Sequence, residues 1–373
     1  MNILILSCNT GEGHNAAGHA VEEAAISRGH SVTFMDVMML KGKRTSNIVG
    51  GAYVNTVKHA PILFGLVYKL GMLISNRYVK SPVYGANSLL ADPLKKYIDE
   101  NNIDIVIMPH LYPAETITYM KRHNMITAKT IAIGTDYTCI PFWEETDCDY
   151  YVIPHKDLAY EYIKRGVPED KLLPYGIPVK QAFLSKLPKN EARIKCRLPK
   201  DVPVYLIMNG SMGFGKLVIF SAALAKQCKN GENIVIICGN NKKIYSVLCK
   251  QFKNNTNVHI IGYTNHVSEY MDSCDVIFTK PGGLTSTEAL VKNIPIVHTS
   301  PIPGCESKNR IFFSKRGLSF TSKHILQQIR LGISLVKNEN LKNSMIERQA
   351  QEAKKDAAAN IIKFCEDIIS KEA

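Results

Sequence analysis

Short apolar runs alternate with amphipathic segments along the first half of the chain. Strands are predicted at residues 3–7, 31–36, 105–109, 129–134 and 150–154. Helices are predicted between them, at residues 16–28, 87–101 and 113–123. Strands and helices that alternate in this way form parallel sheets covered by helices on both faces. This half of the sequence therefore predicts a doubly wound α/β domain.

The pattern breaks at residues 174–203, which contain five prolines and many charges, and then begins again. The second series predicts strands at 204–209, 233–238, 258–261, 276–279 and 296–298, with helices at 216–229, 241–250, 267–274 and 286–292. Residues 341–370 are strongly helical. We expect a first domain over 1–178, a linker over 179–202 and a second domain over 203–355. Two such domains place a ligand cleft between them, at the carboxyl ends of the strands.

The composition is that of an ordinary globular protein, with 373 residues, 45% hydrophobic and 21% charged. Ten cysteines are scattered without paired short spacings, which favours buried thiols over disulfides or a zinc site. No basic, apolar leader precedes the first predicted strand. We therefore expect a cytoplasmic protein.

The formal net charge of +13 favours an anionic partner, and its distribution narrows the choice. Residues 37–91 contain no Asp or Glu and combine long apolar runs with basic side chains. These basic residues are Lys41, Lys43, Arg44, Lys58, Lys69, Arg77 and Lys80. The segment is typical of a peripheral contact with an anionic membrane, although a basic helix packed on its own domain remains the alternative. Nucleic acid is disfavoured because the basic residues lie among long apolar runs rather than among aromatic stacking platforms.

The first glycine-rich loop, CNTGEGHNAAGHA at 8–20, approximates a dinucleotide-binding fingerprint, with Asp36 twenty residues beyond Ala16. Three residues separate the strand from Gly11, however, and His14 stands where a small or apolar residue is usual. A structural turn is one alternative. The preferred interpretation is a ligand loop in which His14 acts as a base or hydrogen-bond donor, because its pKa suits both tasks.

The second loop, NGSMGFGKL at 209–217, matches a P-loop except at its last position. Leu217 replaces the Ser or Thr that would hold magnesium. An NTPase is therefore disfavoured, whereas backbone amides at the following helix could hold a diphosphate without metal.

Two further loops follow strands of the second domain. In TKPGGLTSTEAL, at 279–290, a Pro-Gly-Gly turn leads into a helix whose N–H groups suit a phosphate, and Glu288 could bind a ribose diol. The alternative is a capping box in which Glu288 only satisfies the helix end. In SPIPGCESKNRIFF, at 300–313, a Pro-Gly turn presents Glu306 and Asn309. Both loops should lie at one rim of the sheet.

Seven motifs in this order resemble the diacylglycerol glycosyltransferases of the monogalactosyldiacylglycerol synthase and processive glucosyltransferase type. The same motifs are more distantly similar to the N-acetylglucosaminyltransferase that makes lipid II. They are GEGH at 11–14, PHLYPA at 109–114, GTDYTCIPFW at 134–143, YGIPV at 175–179, NGSMGFGK at 209–216, KPGGLTSTEAL at 280–290 and IPGCESKN at 302–309. The resemblance implies the GT-B fold, two Rossmann-like doubly wound parallel-sheet domains facing a central cleft. A last helix, at about 356–373, would return to the first domain.

The resemblance also implies the site. A UDP-sugar would bind the second domain through Gly210, Ser211, Gly213, Gly215, Gly282, Gly283, Leu284, Thr285, Glu288, Glu306 and Asn309. A lipid acceptor would bind the first domain beside Gly11, Gly13 and His110. His14 would be the catalytic base, with Asp136 as its partner or replacement. No metal or other cofactor is expected, because the UDP-sugar is itself a substrate.

The expected reaction is inverting transfer of glucose or galactose from a UDP-sugar to diacylglycerol or a related lipid, at the inner face of the cell membrane. Two departures from the family motifs concern the acceptor side and the sugar. Ile140 stands where a histidine is usual, and Cys305 where glutamine is usual. The alternatives are a GT-B-type UDP-N-acetylglucosamine epimerase and a regulator that binds lipid or nucleotide without turnover.

Overall fold

The computed structural model describes residues 1–9, 11–48, 51, 66, 68, 70–71, 81–208 and 217–371. The chain divides into two compact units. The first comprises residues 1–181, 303–305 and 354–373, and the second comprises residues 182–302 and 306–353. In the described residues, each unit contains one parallel six-stranded sheet.

The strands of the first sheet lie in the order β2-β1-β3-β4-β5-β6, and those of the second in the order β12-β11-β10-β7-β8-β9. Their bounds are β1 Asn2–Ser7, β2 Ser31–Asp36, β3 Ile105–Met108, β4 Lys129–Ile133, β5 Tyr150–Val152, β6 Leu172–Leu173, β7 Val204–Met208, β8 Asn233–Ile237, β9 Val258–Ile261, β10 Val276–Thr279, β11 Ile296–His298 and β12 Phe320–Thr321. Every pair of neighbouring strands is parallel.

Helices connect these strands in the described parts of the chain. Their bounds are α1 Glu12–Ser27, α2 Pro82–Ser88, α3 Ala91–Glu100, α4 Leu111–Arg122, α5 Ala159–Lys164, α6 Gln181–Leu184, α7 Lys189–Lys195, α8 Leu217–Gln227, α9 Lys242–Gln251, α10 Val267–Ser273, α11 Gly283–Val291, α12 Cys305–Lys315, α13 Ile325–Lys337, α14 Glu339–Glu352 and α15 Ala357–Ser370. Short 3₁₀ turns cover Val37–Lys41, Trp143–Glu145, Lys156–Leu158 and Glu169–Lys171. None of the described helices combines the length and apolar character that crossing a bilayer requires.

The first sheet is buried on both faces, which explains why its strands are continuous apolar runs. On one face, Leu4 and Leu6 of β1 pack with apolar side chains of α3 and α4. On the other face, Ile3 and Ile5 pack with α1 and with α15. The resulting core holds β1 and β3 side by side in the interior of the sheet.

Helix α15 follows the second unit in the chain but contributes to the core of the first. Its buried Ile361, Ile362 and Cys365 pack against β1, β3 and β4. At the surface, the guanidinium of Arg28 donates to both carboxylate oxygens of Glu366, and His30 Nε2 lies 2.8 Å from Glu366 Oε1. The core of the first unit is therefore formed by residues from both ends of the sequence.

The second sheet has the strand order of a Rossmann fold, with the order reversing between β7 and β10. Its core joins Tyr205 of β7 and Phe278 of β10 to apolar residues of α8 and α13. Helix α13 approaches the sheet closely at Gly332, where an added Cβ would lie 2.2 Å from the ring of Phe278.

Residues 182–202, expected to be a linker, pack as part of the second unit. The buried Arg193 of α7 donates through Nε to Ser273 O at 3.1 Å and pairs with Asp275 at 2.7 Å. These contacts hold the segment, which contains the helix α7, against α10 and the start of β10.

Candidate functional site

Three loops of the first unit follow neighbouring strands at the carboxyl edge of the sheet. Residues 8–11 follow β1, residues 109–110 follow β3, and residues 134–142 follow β4. The connection from β1 leads to β2 on one side, whereas β3 lies on the other side. Ligands bind at such a switch point in open parallel sheets. The fold therefore brings together His14, His110 and Asp136, which the sequence had singled out.

His14 lies in the first turn of α1 and is held by the loops after β3 and β4. Its Nδ1 lies 2.9 Å from Pro109 O and 2.9 Å from Thr135 Oγ1. A carbonyl oxygen can only accept a hydrogen bond, so Nδ1 must carry the proton. The neutral ring therefore keeps its lone pair on Nε2, which is the nitrogen able to act as a base.

The environment of His14 favours the neutral form. Burial lowers the pKa of its imidazole below the ordinary value, while the negative charge of Asp136 and the bond to Pro109 O oppose that shift. The ring is thus neutral near pH 7, with its single proton on Nδ1, and the Asp136 carboxylate can stabilise the imidazolium that forms when Nε2 takes up a second proton.

His110 presents the opposite hydrogen-bonding character. It caps α4, and its Nδ1 accepts from Tyr112 N at 3.1 Å. Burial and the neighbouring His14 hold the pKa of His110 well below its ordinary range, so the ring is neutral and its proton lies on Nε2. The two rings meet edge to face, with centroids 4.6 Å apart. The pair therefore combines one basic nitrogen with one N–H donor.

The loop after β4 is fixed by residues that the sequence analysis did not identify. Glu161 of α5 accepts from Thr138 Oγ1 at 2.6 Å and from Cys139 N at 3.1 Å. Gly134 lies so close to Tyr162 that an added Cβ would be 2.6 Å from the phenolic oxygen. Both α5 residues are distant in sequence from the loop, and no local pattern marks them. Thr135 could have been predicted as a site residue, because it directly precedes Asp136 in the motif at 134–143.

The glycines and Asp36 of the near-fingerprint have different roles from those of a dinucleotide site. Asp36 Oδ1 accepts from Met38 N at 2.9 Å, which caps the 3₁₀ turn after β2. At Gly11 an added Cβ would meet nothing within 4 Å, whereas at Gly18 it would lie 2.7 Å from the ring of Phe34. Gly18 therefore lets helix α1 pack closely on the sheet. Gly13 lies in the first turn of α1, beside His14.

In the second unit, the turn after β10 leads directly into α11. Gly282 is the N-cap and supplies no side-chain hydrogen bond to the helix end. The first-turn residues Gly283, Leu284 and Thr285 thus have N–H groups without the usual capping oxygen. The capping-box alternative for Glu288 is wrong, because the helix begins at Gly283 and places this buried side chain beyond the first turn.

Glu306 and Asn309 lie on the buried face of α12, against the Pro-Gly-Gly turn. Glu306 Oε2 accepts from Ile302 N at 2.8 Å, and its other oxygen pairs with Lys280. Asn309 Nδ2 donates to Pro281 O at 3.0 Å. These contacts brace the turn that precedes α11. Lys280 was not singled out from the sequence, although it directly follows β10 and precedes the turn.

Several predicted site residues lie outside the described part of the chain. They are Gly210, Ser211, Gly213 and Gly215 of the second loop, and Lys58, Lys69 and Arg77 of the basic segment. Lys41, Lys43 and Arg44 are described and exposed. Within the described ranges, no group of three His, Cys, Asp or Glu side chains is arranged to hold a metal ion.

Comparison with known proteins supports the resemblance seen in the motifs. Residues 14–179 match the model of the monogalactosyldiacylglycerol (MGDG) synthase family, and residues 210–352 match that of glycosyl transferases group 1. The chain is a glycosyltransferase. It is 28% identical to a processive diacylglycerol beta-glucosyltransferase of Staphylococcus carnosus, over 98% of this chain and 92% of that protein. A protein of the same name from Staphylococcus saprophyticus is 30% identical over 63% of this chain and 58% of its own length.

Solved structures confirm the fold of this glycosyltransferase. MurG of Acinetobacter baumannii is 13% identical and aligns with a TM-score of 0.62, covering 98% of this chain and 99% of that one. The UDP-GlcNAc 2-epimerase of Neisseria meningitidis, bound to UDP-GlcNAc, is 14% identical with a TM-score of 0.63, again covering 98% and 99%. Two Rossmann-like units in a GT-B fold are therefore established for this glycosyltransferase. The alternating sequence pattern predicts the two α/β units, and the family resemblance implies the GT-B fold.

Proposed function

We propose that this glycosyltransferase moves glucose or galactose from a UDP-sugar to diacylglycerol or a related membrane lipid, with inversion at the anomeric carbon. The observation that carries the proposal is the tautomer of His14. Its Nδ1 donates its proton to Pro109 O, so Nε2 is the nitrogen with the basic lone pair. The names of the staphylococcal relatives support diacylglycerol as the acceptor class. A structural neighbour solved in complex with UDP-glucose supports the donor class.

In the proposed step, His14 Nε2 takes the proton of the acceptor hydroxyl as its oxygen attacks the anomeric carbon. The bond from that carbon to the diphosphate breaks, and UDP leaves with the bonding electrons. One displacement converts an α-linked donor into a β-linked product. The negative charge of Asp136, which opposes the lowering of the His14 pKa, stabilises the imidazolium that results.

The donor half of the proposal rests on the turn after β10 and the start of α11. Uncapped first-turn N–H groups and the helix dipole attract a diphosphate, and they stabilise the charge that develops as UDP leaves. Glu306 and Asn309 brace this turn and are proposed to lie beside the sugar.

The proposed binding to a membrane surface rests on the positive charge of residues 37–91. Lys41, Lys43 and Arg44 are exposed at the start of a segment, residues 37–91, that contains no acidic residue. Basic side chains near an anionic lipid surface contribute roughly 1 kcal/mol each, which favours peripheral binding at the inner face of the cell membrane. We expect binding to anionic vesicles to weaken as salt is raised.

The test supplies liposomes of diacylglycerol and anionic phospholipid with labelled UDP-glucose, UDP-galactose or UDP-GlcNAc, and separates the lipid products. His14→Ala and His14→Gln should lose at least ~100-fold in turnover, the usual contribution of general-base catalysis. His123→Ala is the matched control, because that exposed histidine ends α4 in the same unit. Unchanged glycolipid formation by His14→Ala would exclude the assigned base.

The fold similarity to the epimerase of Neisseria meningitidis favours one competing function. An epimerase would convert UDP-GlcNAc without lipid and would form no labelled glycolipid. Donor binding without any product from the three sugars would instead indicate a regulator. The same assay therefore separates the three functions.

A further inference from the structure

A buried histidine joins three elements at the carboxyl edge of the second sheet. His298 ends β11, and its side chain is fully buried. Its Nε2 lies 3.0 Å from Ser286 Oγ on α11, and its Nδ1 lies 3.0 Å from Ser319 Oγ, just before β12. Its ring also meets the edge of Phe313 on α12, with centroids 5.3 Å apart.

The two serine bonds are those of a neutral imidazole. Burial and the positive charge of Arg310 lower the pKa of His298 to about 3, so the ring carries one proton near neutral pH. One ring nitrogen therefore donates and the other accepts, while each hydroxyl can serve as donor or acceptor. Both serines are themselves almost completely buried, so a broken bond would leave a polar atom without water.

The bond to Ser286 continues to the start of α11. Ser286 is the fourth residue of that helix, and its backbone N donates to Gly282 O at 3.1 Å. Gly282 is the N-cap and has no side chain with which to hold the helix end. The orientation of the uncapped first turn is thus fixed from its inner side, through Ser286 and His298.

We propose that His298 is a positioning residue that sets the affinity of α11 for the diphosphate of the donor. The inference rests on the proposed function, because it assumes that the diphosphate binds the first-turn N–H groups. His298 itself is fully buried and acts through Ser286 of the helix. A tilt of the first turn would weaken the N–H bonds to the diphosphate. The ribose is expected to bind Glu288 instead, so the affinity for UDP should fall more than the affinity for uridine.

Two conservative substitutions of His298 test its hydrogen bonds to Ser286 and Ser319 one at a time. The amide of His298→Gln can occupy the position of Nε2 and keep the bond to Ser286, whereas that of His298→Asn can occupy the position of Nδ1 and keep the bond to Ser319. The matched serine pair is Ser286→Ala and Ser319→Ala. Titration calorimetry with UDP and with uridine measures each variant, and thermal unfolding measures its stability.

We expect His298→Asn and Ser286→Ala to weaken UDP binding about fivefold to tenfold, which corresponds to the loss of one buried hydrogen bond. Uridine binding should change less than twofold, and the KM for the UDP-sugar should rise more than kcat falls. His298→Gln and Ser319→Ala should bind UDP like the unaltered protein, even where they unfold at lower temperature.

Equal UDP affinities for the Gln and Asn variants, with only their thermal stability lowered, would overturn the positioning role. Equal losses of UDP and uridine affinity would overturn it as well. If the unaltered protein bound no UDP at all, the proposed function itself would fail, and this result is distinct from the other two. A variant that does not fold is replaced in the comparison by the serine variant that removes the same bond.

Discussion

Gly134→Ala should disrupt the loop that holds His14, and the reason is a single contact. An added Cβ would lie 2.6 Å from the hydroxyl oxygen of Tyr162, whereas real Cβ atoms essentially never come within 3.0 Å of another heavy atom. The Gly134 backbone N is bonded to Val152 O at 2.8 Å, so the chain cannot easily retreat. Such overpacking costs about 1–3 kcal/mol.

The partner substitution Tyr162→Phe tests that explanation. Among the described residues, the Tyr162 hydroxyl is buried without a hydrogen-bond partner, so its removal should be neutral or slightly stabilising. In the double variant the nearest other atom to the new Cβ is Val152 O at 3.5 Å, an ordinary contact. We expect Tyr162→Phe to recover at least about 1 kcal/mol of the stability lost in Gly134→Ala.

The assay can be confined to the first unit because the chain contains one tryptophan. Trp143 is buried in the core of that unit, so its fluorescence during urea unfolding reports the unit that contains the contact. Glycolipid formation is measured in parallel. Gly134 directly precedes Thr135, whose hydroxyl contacts His14, so activity should fall about tenfold and recover in the double variant. Strictly additive free energies would refute the steric explanation.

Three further outcomes are expected. Asp136→Asn removes the charge that raises the His14 pKa, so the acid limb of the pH–activity profile should move to lower pH, whereas Asp99→Asn, at an exposed site, should leave it unchanged. Because the pKa of His298 is lowered in the folded protein, the unfolded state takes up a proton at a higher pH than the folded state does. The free energy of unfolding should therefore fall as pH drops from about 6.5 towards 3, by up to ~1.4 kcal/mol per pH unit, and His298→Gln should not show this fall. Lys292→Met leaves the buried carboxylate of Asp272 without its ammonium partner and should cost about 3–5 kcal/mol in denaturant unfolding, less if Asp272→Leu is added.

Periodicity located most strands to within one or two residues, because continuous apolar runs bounded by turns are a strong local signal. Strands β6 and β12 were not predicted, since two residues carry no period. The helix expected over 87–101 is two helices, α2 and α3, separated at residues 89–90. Pro93 lies in the first turn of α3, where its missing N–H costs nothing, and so marks the start of a helix.

Helix α12 was not predicted from the sequence because its buried face carries polar residues. Residues 300–313 were expected to form a loop, but 305–315 are helical, with Glu306, Asn309 and Phe313 buried on one side. Spacing at i, i+3 and i+7 was present in the sequence, but two of the three side chains are polar and gave no hydrophobic period. The roles of His298 and Glu161 depend on contacts across the sheet and could not be predicted from local sequence.

Helix α15 imposes an order on biosynthesis. The first unit begins the chain, yet Ile361, Ile362 and Cys365 complete one face of its sheet. During translation those residues emerge only after the entire second unit, although domains generally fold as they leave the ribosome. The nascent first sheet must therefore remain with part of this apolar face uncovered, beside α1, while the second unit folds. A ribosome that stalls before residue 357 leaves a chain whose second unit can be native and whose first unit is a target for chaperones and proteases.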